Sequence, residues 1–288
     1  MLDVNDFDMR LTIESGQPLT FFGDYIMDNN KEALSFVTGK GFIQVVSKKG
    51  SNGGSRLGWS GYGYSKRELD AEVSKRLGLG DDMESVYGSI GTDPFMSSAI
   101  SSLRGMRITH NDPWEATLCF IISQFNNMKR IRLITKNLIG RFGEPVSYEG
   151  RELRLFPQPS ALADASLADI RSCGTGFRDK YIRSAARSCL EQVDLDSLSN
   201  KDYDSAKEAL LEIDGVGDKV ADCILLFGYK KLEAFPIDLW VKRVVEKVYF
   251  NGRKRTVNRI HDFADERWKD YRGYAQQYIF EYGRRVVR

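Results

Sequence analysis

The chain of 288 residues is 42% hydrophobic and has a formal net charge of +2, so it is long enough for two domains and can bury a sizeable core. No run approaches the ~20 apolar residues of a membrane helix, and the N-terminus MLDVNDFDMR has acidic residues where a signal peptide has basic ones. The four cysteines are far apart and form no C-x-x-C pair, which argues against a zinc knuckle or a disulfide framework. A soluble intracellular protein without a structural metal is therefore expected.

Charge is distributed unevenly along the chain. Residues 1–100 contain 10 Lys and Arg against 14 Asp and Glu, whereas residues 241–288 contain 13 against 6. A basic C-terminal region of this kind can bind a phosphate backbone, although a solvated helix face would have the same composition.

In the first 64 residues, short segments rich in β-branched and aromatic residues alternate with Gly, Asn or Ser, a pattern that predicts antiparallel strands. These segments are MRLTIE, LTFFGDYIM, ALSFV and GFIQVV. The stretch SKKGSNGGSRLG, residues 47–58, is expected to be a mobile hairpin loop.

From about Ser65 onward the apolar residues recur at helical spacing. The longest helical segments are SKRELDAEVSKRLGL, DPFMSSAISSLRG, DPWEATLCFIISQFNNMKRIRLITKNLIGRFG and RDKYIRSAARSCLEQV. Asp93 and Asp112 each precede a proline, which is typical of a helix start. The predicted fold class is α+β, with a small antiparallel β domain and trailing helices in residues 1–95 and a larger all-α core in residues 96–288.

Residues 205–228 are predicted to form a helix, a hairpin and a second helix. The turn between SAKEALLEI and DKVADCILLFGY is built from Gly215, Val216 and Gly217. Its glycines would let backbone amides approach a phosphate closely, and the dipole of the second helix would favour the negative charge. Such a contact holds DNA without reading its sequence, although any helical hairpin could use the same turn.

Lys219 begins the second helix of this hairpin, whose later residues are nearly all apolar. The helix dipole and partial desolvation both favour a neutral amine there, which is a nucleophile able to form a Schiff base. The alternative is a surface ion pair with Asp218 or Asp222. Asp238 lies at the start of a further amphipathic helix, where it can be an ordinary N-cap. The same carboxylate can also stabilise positive charge on a sugar, because the two roles are compatible.

These residues resemble the helix-hairpin-helix DNA glycosylase superfamily, whose signature is this hairpin followed by a Gly/Pro-rich loop and a catalytic aspartate. The segments GVGDKVADC and FPID are most similar to those of the 8-oxoguanine DNA glycosylases. By that resemblance Lys219 attacks C1′ of the damaged nucleotide, Asp238 assists, and Cys223 occupies the position of a pocket cysteine.

The resemblance covers almost the whole chain and implies further site residues. SGQPLTF resembles the family segment in which a glycine carbonyl, here that of Gly16, accepts the N7 hydrogen of oxidised guanine. WKDYRGYAQQYIFEYG resembles the C-terminal helix of the base pocket and places Gln276 and Phe280 at the family's glutamine and phenylalanine. Gln276 and Phe280 share a helix face, which suits reading and stacking a flipped base, whereas Gln277 is roughly 100° around the helix.

Two further segments resemble the part of the family that contacts the gap left by the flipped base. NDPWEATLCFIISQFNNMKRI places Asn126, Asn127 and Arg130 at family positions, and the arginine is expected to contact the orphaned cytosine. CGTGFRDKYI places Phe177 at the intercalating aromatic and Arg178 at a second arginine that reads the cytosine.

The sequence departs from the family pattern at two positions. Phe125 replaces the first asparagine of a triplet, so one hydrogen bond to the orphan cytosine is lost and discrimination of the opposite base is expected to relax. Trp240 replaces a histidine, so a phosphate or pocket contact is replaced or lost. The chain also lacks the C-terminal cluster of four cysteines that holds iron and sulfur in related branches.

The resemblance therefore implies a monomeric, cofactor-free DNA glycosylase and abasic-site lyase that excises 8-oxoguanine from duplex DNA. Three alternatives remain open from the sequence. They are an alkylbase glycosylase of the 3-methyladenine type, which normally lacks the lysine, a non-enzymatic DNA-binding protein that keeps only the hairpin, and a general helical interaction protein.

Overall fold

A computed structural model describes residues 1–28, 31–50 and 54–287, and it contains a small antiparallel sheet joined to a larger set of helices. The sheet has five strands in the order β1-β5-β4-β3-β2. Its strands are β1 (Leu2–Val4), β2 (Asp24–Asp28), β3 (Lys31–Val37), β4 (Phe42–Lys49) and β5 (Ser55–Tyr62). The α+β fold class is confirmed.

The predicted strand MRLTIE is wrong, because these residues form helix α1 (Met9–Glu14). Asp8 caps this helix by accepting a hydrogen bond from the backbone N–H of Leu11 at 2.7 Å. Similarly, LTFF belongs to helix α2 (Pro18–Phe22), which has a proline at its start. Only the end of the segment LTFFGDYIM is a strand, β2.

The predicted loop over residues 47–58 is shorter in the structure. Strand β4 continues to Lys49 and β5 begins at Ser55, with Lys49 paired with Ser55. Residues 51–53 of this loop lie outside the described residues.

The four longest predicted segments are helical in the structure, although residues 124–127 divide the third into two helices, and the helix at Met83–Ile90 lies between the first two segments. The helices that follow the sheet are α3 (Lys66–Arg76), α4 (Met83–Ile90), α5 (Pro94–Ser102), α6 (Pro113–Ser123), α7 (Met128–Phe142), α8 (Pro159–Ala163), α9 (Leu167–Ile170), α10 (Asp179–Glu191), α11 (Tyr203–Leu211), α12 (Asp218–Tyr229), α13 (Leu239–Tyr249), α14 (Val257–Trp268) and α15 (Arg272–Val286). Asp93 and Asp112 cap α5 and α6 as predicted.

One element of the second half is not helical, contrary to the expected all-α core. Strands β6 (Pro145–Tyr148) and β7 (Arg151–Arg154) form a separate two-stranded hairpin. Its turn residues Glu149 and Gly150 both have positive φ, 50° and 73°, as a two-residue type I′ turn requires.

The sheet packs on the helices through apolar side chains, and a buried ion pair joins two of the helices. Leu34 and Phe36 of β3 and Ile43 and Val45 of β4 are buried on one face, as alternation along a strand requires. Phe22 of α2 packs edge-on against Phe36, with ring centroids 6.5 Å apart.

The ion pair joins Arg76 of α3 to Glu115 of α6, and both side chains are almost fully buried.

The division of the chain into domains at residues 95 and 96 stays a prediction, and α5 crosses that point. Among the described residues, no helix has the length and apolarity needed to cross a membrane.

Candidate active site

A cavity of about 520 Å³ lies between the N-terminal turn, the central helices and the C-terminal helix. Eight of the predicted site residues line it. They are Gly16, Asn126, Asn127, Lys219, Cys223, Asp238, Gln276 and Phe280. The fold thus brings together residues that are up to 264 positions apart in the sequence.

Lys219 is half-buried in the first turn of α12 and faces this cavity. Its Nζ lies 5.5 Å from the ring centroid of Phe120 on α6. The expected alternative, an ion pair with Asp218 or Asp222, is not what the structure contains, because both carboxylates pair with Lys207, at 3.8 and 2.9 Å. The lysine amine is therefore available to a molecule in the cavity.

Asp238 is the N-cap of α13, as one of the two predicted roles requires. Its Oδ1 accepts a hydrogen bond from the backbone N–H of Val241 at 2.7 Å. The carboxylate is half-buried and also lines the cavity, so the cap fixes it beside the space that Lys219 faces. A carboxylate in this position can stabilise a cation formed in the cavity.

Cys223 lies one turn after Lys219 and is buried. Burial raises the pKa of the Cys223 thiol to about 11, against the opposing effect of the neighbouring Lys219. At neutral pH the side chain is therefore an uncharged thiol that packs on the cavity wall.

Gly16 forms the turn between α1 and α2 with a φ of +80°, a conformation that favours glycine. A Cβ atom at this position would lie 3.1 Å from Cε1 of Phe280, so the glycine also allows the ring to approach. Gln17 fixes this turn, because its Nε2 donates to Oγ of Ser15 and its Oε1 accepts from the N–H of Thr109, at 2.8 and 2.7 Å.

Gln276 and Gln277 both line the cavity, although the sequence favoured Gln276 alone. They differ in their hydrogen bonds. Oε1 of Gln276 is buried and has no partner among the described residues, whereas Nε2 of Gln277 donates to the carbonyl of Ser15 at 2.8 Å. Gln276 is thus the amide with an unused acceptor, and Gln277 supports the turn that contains Gly16.

The predicted hairpin is present, with α11 and α12 joined by residues 212–217. Gly215 has a φ of +88°, and a Cβ there would lie 2.8 Å from Cβ of Tyr181. Val216 is buried, while Gly217 is exposed and is the N-cap of α12 without a side-chain cap. Because the first amides of a helix have no partner within it, this exposed end can donate to an anion.

Asn126 and Asn127 occupy the turn between α6 and α7, where their side chains satisfy the ends of both helices. Nδ2 of Asn126 donates to the carbonyl of Ile122 at 3.1 Å. Oδ1 of Asn127 accepts from the N–H of Arg130 at 3.0 Å, so Asn127 is the N-cap of α7.

The other predicted residues do not line the cavity and lie on neighbouring turns; they are Arg130, Phe177, Arg178, Gly215, Val216 and Gly217. Phe177 is 54% exposed and Arg130 is exposed. Arg178, in contrast, is only 5% exposed, and it donates to backbone carbonyls of the turn between α6 and α7.

Several lining residues were not identified from the sequence. Phe120 belongs to a helix whose residues are apolar around its whole circumference, so periodicity cannot show which of them faces a cavity. Trp240 was noted only as a departure, and the structure places it on the cavity wall with a buried Nε1 that has no partner among the described residues. Its proximity to Asp238 in the sequence was the available signal.

The basic C-terminal region is partly neutralised by ion pairs within the chain. Lys254 pairs with Glu246, Arg267 with Asp93 and Arg272 with Asp265. Arg284, which lines the cavity, lies over the ring of Phe280, with 5.4 Å between its guanidinium carbon and the ring centroid. The net charge of this region therefore overstates the charge that is free to bind phosphates.

The helical hairpin and the capping aspartate on the next helix are the features by which this chain resembles a class of DNA repair proteins. Residues 118–270 match the model of the HhH-GPD superfamily of base excision DNA repair proteins, and the chain belongs to this family.

One named relative and one solved structure match this chain over most of its length. The chain is 33% identical over 240 residues, 76% of each protein, to a protein of Methanothermobacter thermautotrophicus named "Probable N-glycosylase/DNA lyase". It superposes with a TM-score of 0.88 and 31% identity on MBOgg1 in complex with a low-affinity DNA ligand, covering 99% of this chain and 94% of that one.

A second solved structure is that of Clostridium acetobutylicum 8-oxoguanine glycosylase/lyase with duplex DNA containing cytosine opposite the lesion. The TM-score is 0.84 at 25% identity, and the match covers 99% of this chain and 97% of that one.

Proposed function

We propose that this protein is a bifunctional DNA glycosylase and abasic-site lyase that excises 8-oxoguanine from duplex DNA. The observation that carries the proposal is that Lys219 and Asp238 line one cavity with Gln276, whose buried acceptor has no partner in the described part of the chain. The Clostridium acetobutylicum protein named 8-oxoguanine glycosylase/lyase superposes over nearly the whole chain, which supports the same substrate class.

In this proposal the damaged nucleotide leaves the base stack and enters the cavity, because an enzyme cannot reach C1′ inside a duplex. Phe280 and Cys223 flank the base, Gln276 accepts or donates at its edge, and the carbonyl of Gly16 accepts the N7 hydrogen that oxidised guanine has and guanine lacks. The hairpin at Gly215–Gly217 holds a backbone phosphate.

The amine nitrogen of Lys219 then attacks C1′ with its lone pair, and the electrons of the glycosidic bond leave with the base, which takes up a proton. Asp238 stabilises the positive charge on the sugar while this bond breaks. Loss of a proton from the attached nitrogen and opening of the sugar ring give a Schiff base. Removal of a proton from C2′ then expels the 3′ phosphate by β-elimination, so the strand is cut without a cofactor.

We also propose that the enzyme works as a monomer inside the cell, where its DNA substrate is. Lys219, Asp238 and the residues assigned to binding the base line one cavity within a single chain.

Borohydride trapping tests the proposal directly, since it reduces a Schiff base to a stable covalent bond. Purified protein should be trapped on duplex DNA that contains 8-oxoguanine, and Lys219→Gln should lose both trapping and base excision while it still binds the DNA. Lys75→Gln, which changes an exposed lysine on α3, is the matched control and should be trapped as the wild type is.

Full excision by Lys219→Gln would overturn the assigned nucleophile. Absence of any trapped complex, together with cleavage of alkylated DNA, would favour the alkylbase glycosylase instead.

A further inference from the structure

A second cavity of about 360 Å³ adjoins the first, and Lys219 lines both of them. The segment before α13 also borders both, because Pro236 and Asp238 face the first cavity whereas Ile237, between them, faces the second. Lys219 and this segment therefore separate the two spaces. A molecule bonded to Nζ of Lys219 can turn with the lysine side chain from the first cavity to the second.

The second cavity contains a buried carboxylate, that of Asp222, one helical turn after Lys219. The side chain of Asp222 is 1% exposed, and its Oδ1 accepts from the hydroxyl of Tyr203 at 2.6 Å and from Nζ of Lys207 at 2.9 Å. Its Oδ2 lies 3.9 Å from Nε2 of His261 on α14. Helix α11 thus fixes the carboxylate, which faces the imidazole of His261.

His261 lines the second cavity and is a proton acceptor at neutral pH. Burial lowers the pKa of His261 below its usual 6.5, and the cations of Lys207 and Arg272 act in the same direction. The carboxylates of Asp222 and Asp218 oppose this shift. The uncharged ring has a lone pair that can take up a proton, and its side chain is 32% exposed, so the proton can pass on to solvent.

The proposed β-elimination needs a base near Lys219, and the two titratable neighbours of Lys219 in the first cavity suit this step poorly. Cys223 keeps its proton at neutral pH, because burial raises the pKa of its thiol to about 11. Asp238 is assigned to the stabilisation of positive charge on the sugar, which it provides only as an anion. His261 has neither limitation.

We propose that His261 is the base that removes the C2′ proton in the β-elimination step, with Asp222 as its positioning residue. The inference rests on the proposed Schiff base at Lys219. Once the sugar ring has opened, C2′ is bonded to the carbon that carries Nζ and turns with the lysine side chain towards the second cavity.

The step is a proton transfer coupled to the loss of phosphate. The lone pair of the His261 imidazole takes the proton from C2′, and the electrons of the C–H bond form a double bond between C2′ and C3′. The bond between C3′ and oxygen breaks, and its electrons leave with the 3′ phosphate. Asp222 stabilises the imidazolium while it exists, as a carboxylate beside a catalytic histidine does, and the imidazolium then returns its proton to solvent.

Duplex DNA with a preformed abasic site tests this assignment separately from base excision. His261→Gln keeps a polar side chain of similar length that does not accept the proton. Strand cleavage should slow about 100-fold, the low end of the range for general base catalysis, while borohydride trapping at Lys219 persists because the Schiff base still forms. Release of 8-oxoguanine, measured after alkaline cleavage, should be unchanged, since His261 does not line the first cavity.

The pH dependence of strand cleavage is a readout that a structural role would not change. Wild-type cleavage should fall as the pH falls through the pKa of His261, below 6.5, because the protonated ring accepts no proton. His261→Gln should lack this acid limb. Asp222→Asn removes the carboxylate that raises the pKa of His261, so the limb should move to lower pH. Because this variant also leaves Lys207 without its buried anion, His261→Gln carries the main test.

The matched control is His110→Gln, at the other histidine of the chain, which is held against the carbonyl of Gly228 and lines neither cavity. It should keep the wild-type ratio of strand cleavage to base release at pH 7. A wild-type rate of cleavage by His261→Gln would overturn the assignment. Loss of cleavage in Asp238→Asn but not in His261→Gln, with trapping retained in both, would make Asp238 the base instead.

The proposed function can fail independently of this inference. If 8-oxoguanine is not released, while abasic DNA is trapped and His261→Gln slows its cleavage, the base assignment stands and the substrate assignment falls. Absence of trapping on abasic DNA would remove the Schiff base at Lys219 and overturn both.

Discussion

Gln277 of the last helix donates a hydrogen bond of 2.8 Å to the carbonyl of Ser15, and so fixes the N-terminal turn against the C-terminal helix. Its neighbour Gln276 is equally buried, at 6% against 3% exposure, yet Oε1 of Gln276 has no partner among the described residues. Adjacent glutamines on one helix thus differ in their hydrogen bonds, since Gln277 is bonded within the fold and Gln276 keeps a buried acceptor without a described partner on the cavity wall.

This difference predicts opposite effects of the same substitution. Gln277→Leu leaves the carbonyl of Ser15 without its donor and should lower the free energy of unfolding by about 1–3 kcal/mol. Gln276→Leu removes an amide whose acceptor is already unpaired, so stability should change by less than about 0.5 kcal/mol or rise, while excision of 8-oxoguanine falls. Denaturant unfolding and single-turnover excision measure the two effects, and equal destabilisation by both variants would contradict the assignment.

Asp238 combines a helix cap with a place on the cavity wall, and two substitutions separate these functions. Asn caps helices about as well as Asp, so Asp238→Asn should keep the stability within about 0.5 kcal/mol and lower the excision rate by roughly 10²–10³-fold, as loss of one electrostatic stabiliser does. Asp238→Ala should in addition lose about 1 kcal/mol of stability. An Asp238→Asn enzyme with wild-type excision would leave Asp238 as a cap alone.

The two glycines of the hairpin provide a second matched pair. At Gly215, φ is +88° and an added Cβ meets Tyr181 at 2.8 Å, whereas at Gly217 the added Cβ meets nothing within 4 Å. Gly215→Ala should therefore destabilise the protein by about 1–3 kcal/mol, and Gly217→Ala by less than about 1 kcal/mol.

If the hairpin holds a phosphate, a methyl group at Gly217 obstructs that approach. DNA affinity should then fall about tenfold, the value of one hydrogen bond to a charged group, although the fold is intact. Fluorescence anisotropy with undamaged duplex DNA measures this affinity, and an unchanged affinity of Gly217→Ala would exclude the proposed phosphate contact.

The sequence predicts the helical core well because capping residues and long amphipathic segments are local signals. Asp93, Asp112 and Asp238 cap helices where their positions predict. It fails at MRLTIE, where six residues are too few to distinguish a strand from a short helix. There the buried Met9, Thr12 and Ile13 share a helix face, and the N-cap hydrogen bond of Asp8 favours the helix over a strand.

The hydrogen bonds of Arg178 could not be predicted from the sequence. Its position in the chain indicates an arginine near DNA, but the length and direction of its hydrogen bonds depend on how the turn after α6 folds. The positive φ of Phe125 that brings those carbonyls to the guanidinium has no local sequence signal. Contacts between segments that are 53 positions apart, such as this one, follow only from the assembled fold.

His110 makes the stability of the fold dependent on pH. Its Nε2 lies 3.0 Å from the carbonyl of Gly228, and burial, with a further contribution from Lys75, lowers the pKa of His110 from 6.5 to about 4. Above pH 6.5 the imidazole is neutral in the folded and unfolded states. Between pH 6.5 and 4 the unfolded chain binds a proton that the folded protein does not, so stability falls as the pH falls through this window.

Each pKa unit corresponds to about 1.4 kcal/mol, so the loss attributable to His110 should approach roughly 3 kcal/mol at pH 4. His110→Gln can still donate to Gly228 but does not titrate, and its stability should fall less steeply than that of the wild type between pH 6.5 and 4. Urea unfolding at half-unit pH steps gives the difference between the two proteins, from which the carboxylates that titrate in both cancel. Parallel stability curves would show that His110 has the same pKa in the folded and unfolded states. Burial of His110 against the carbonyl of Gly228 would then not disfavour the charged imidazole.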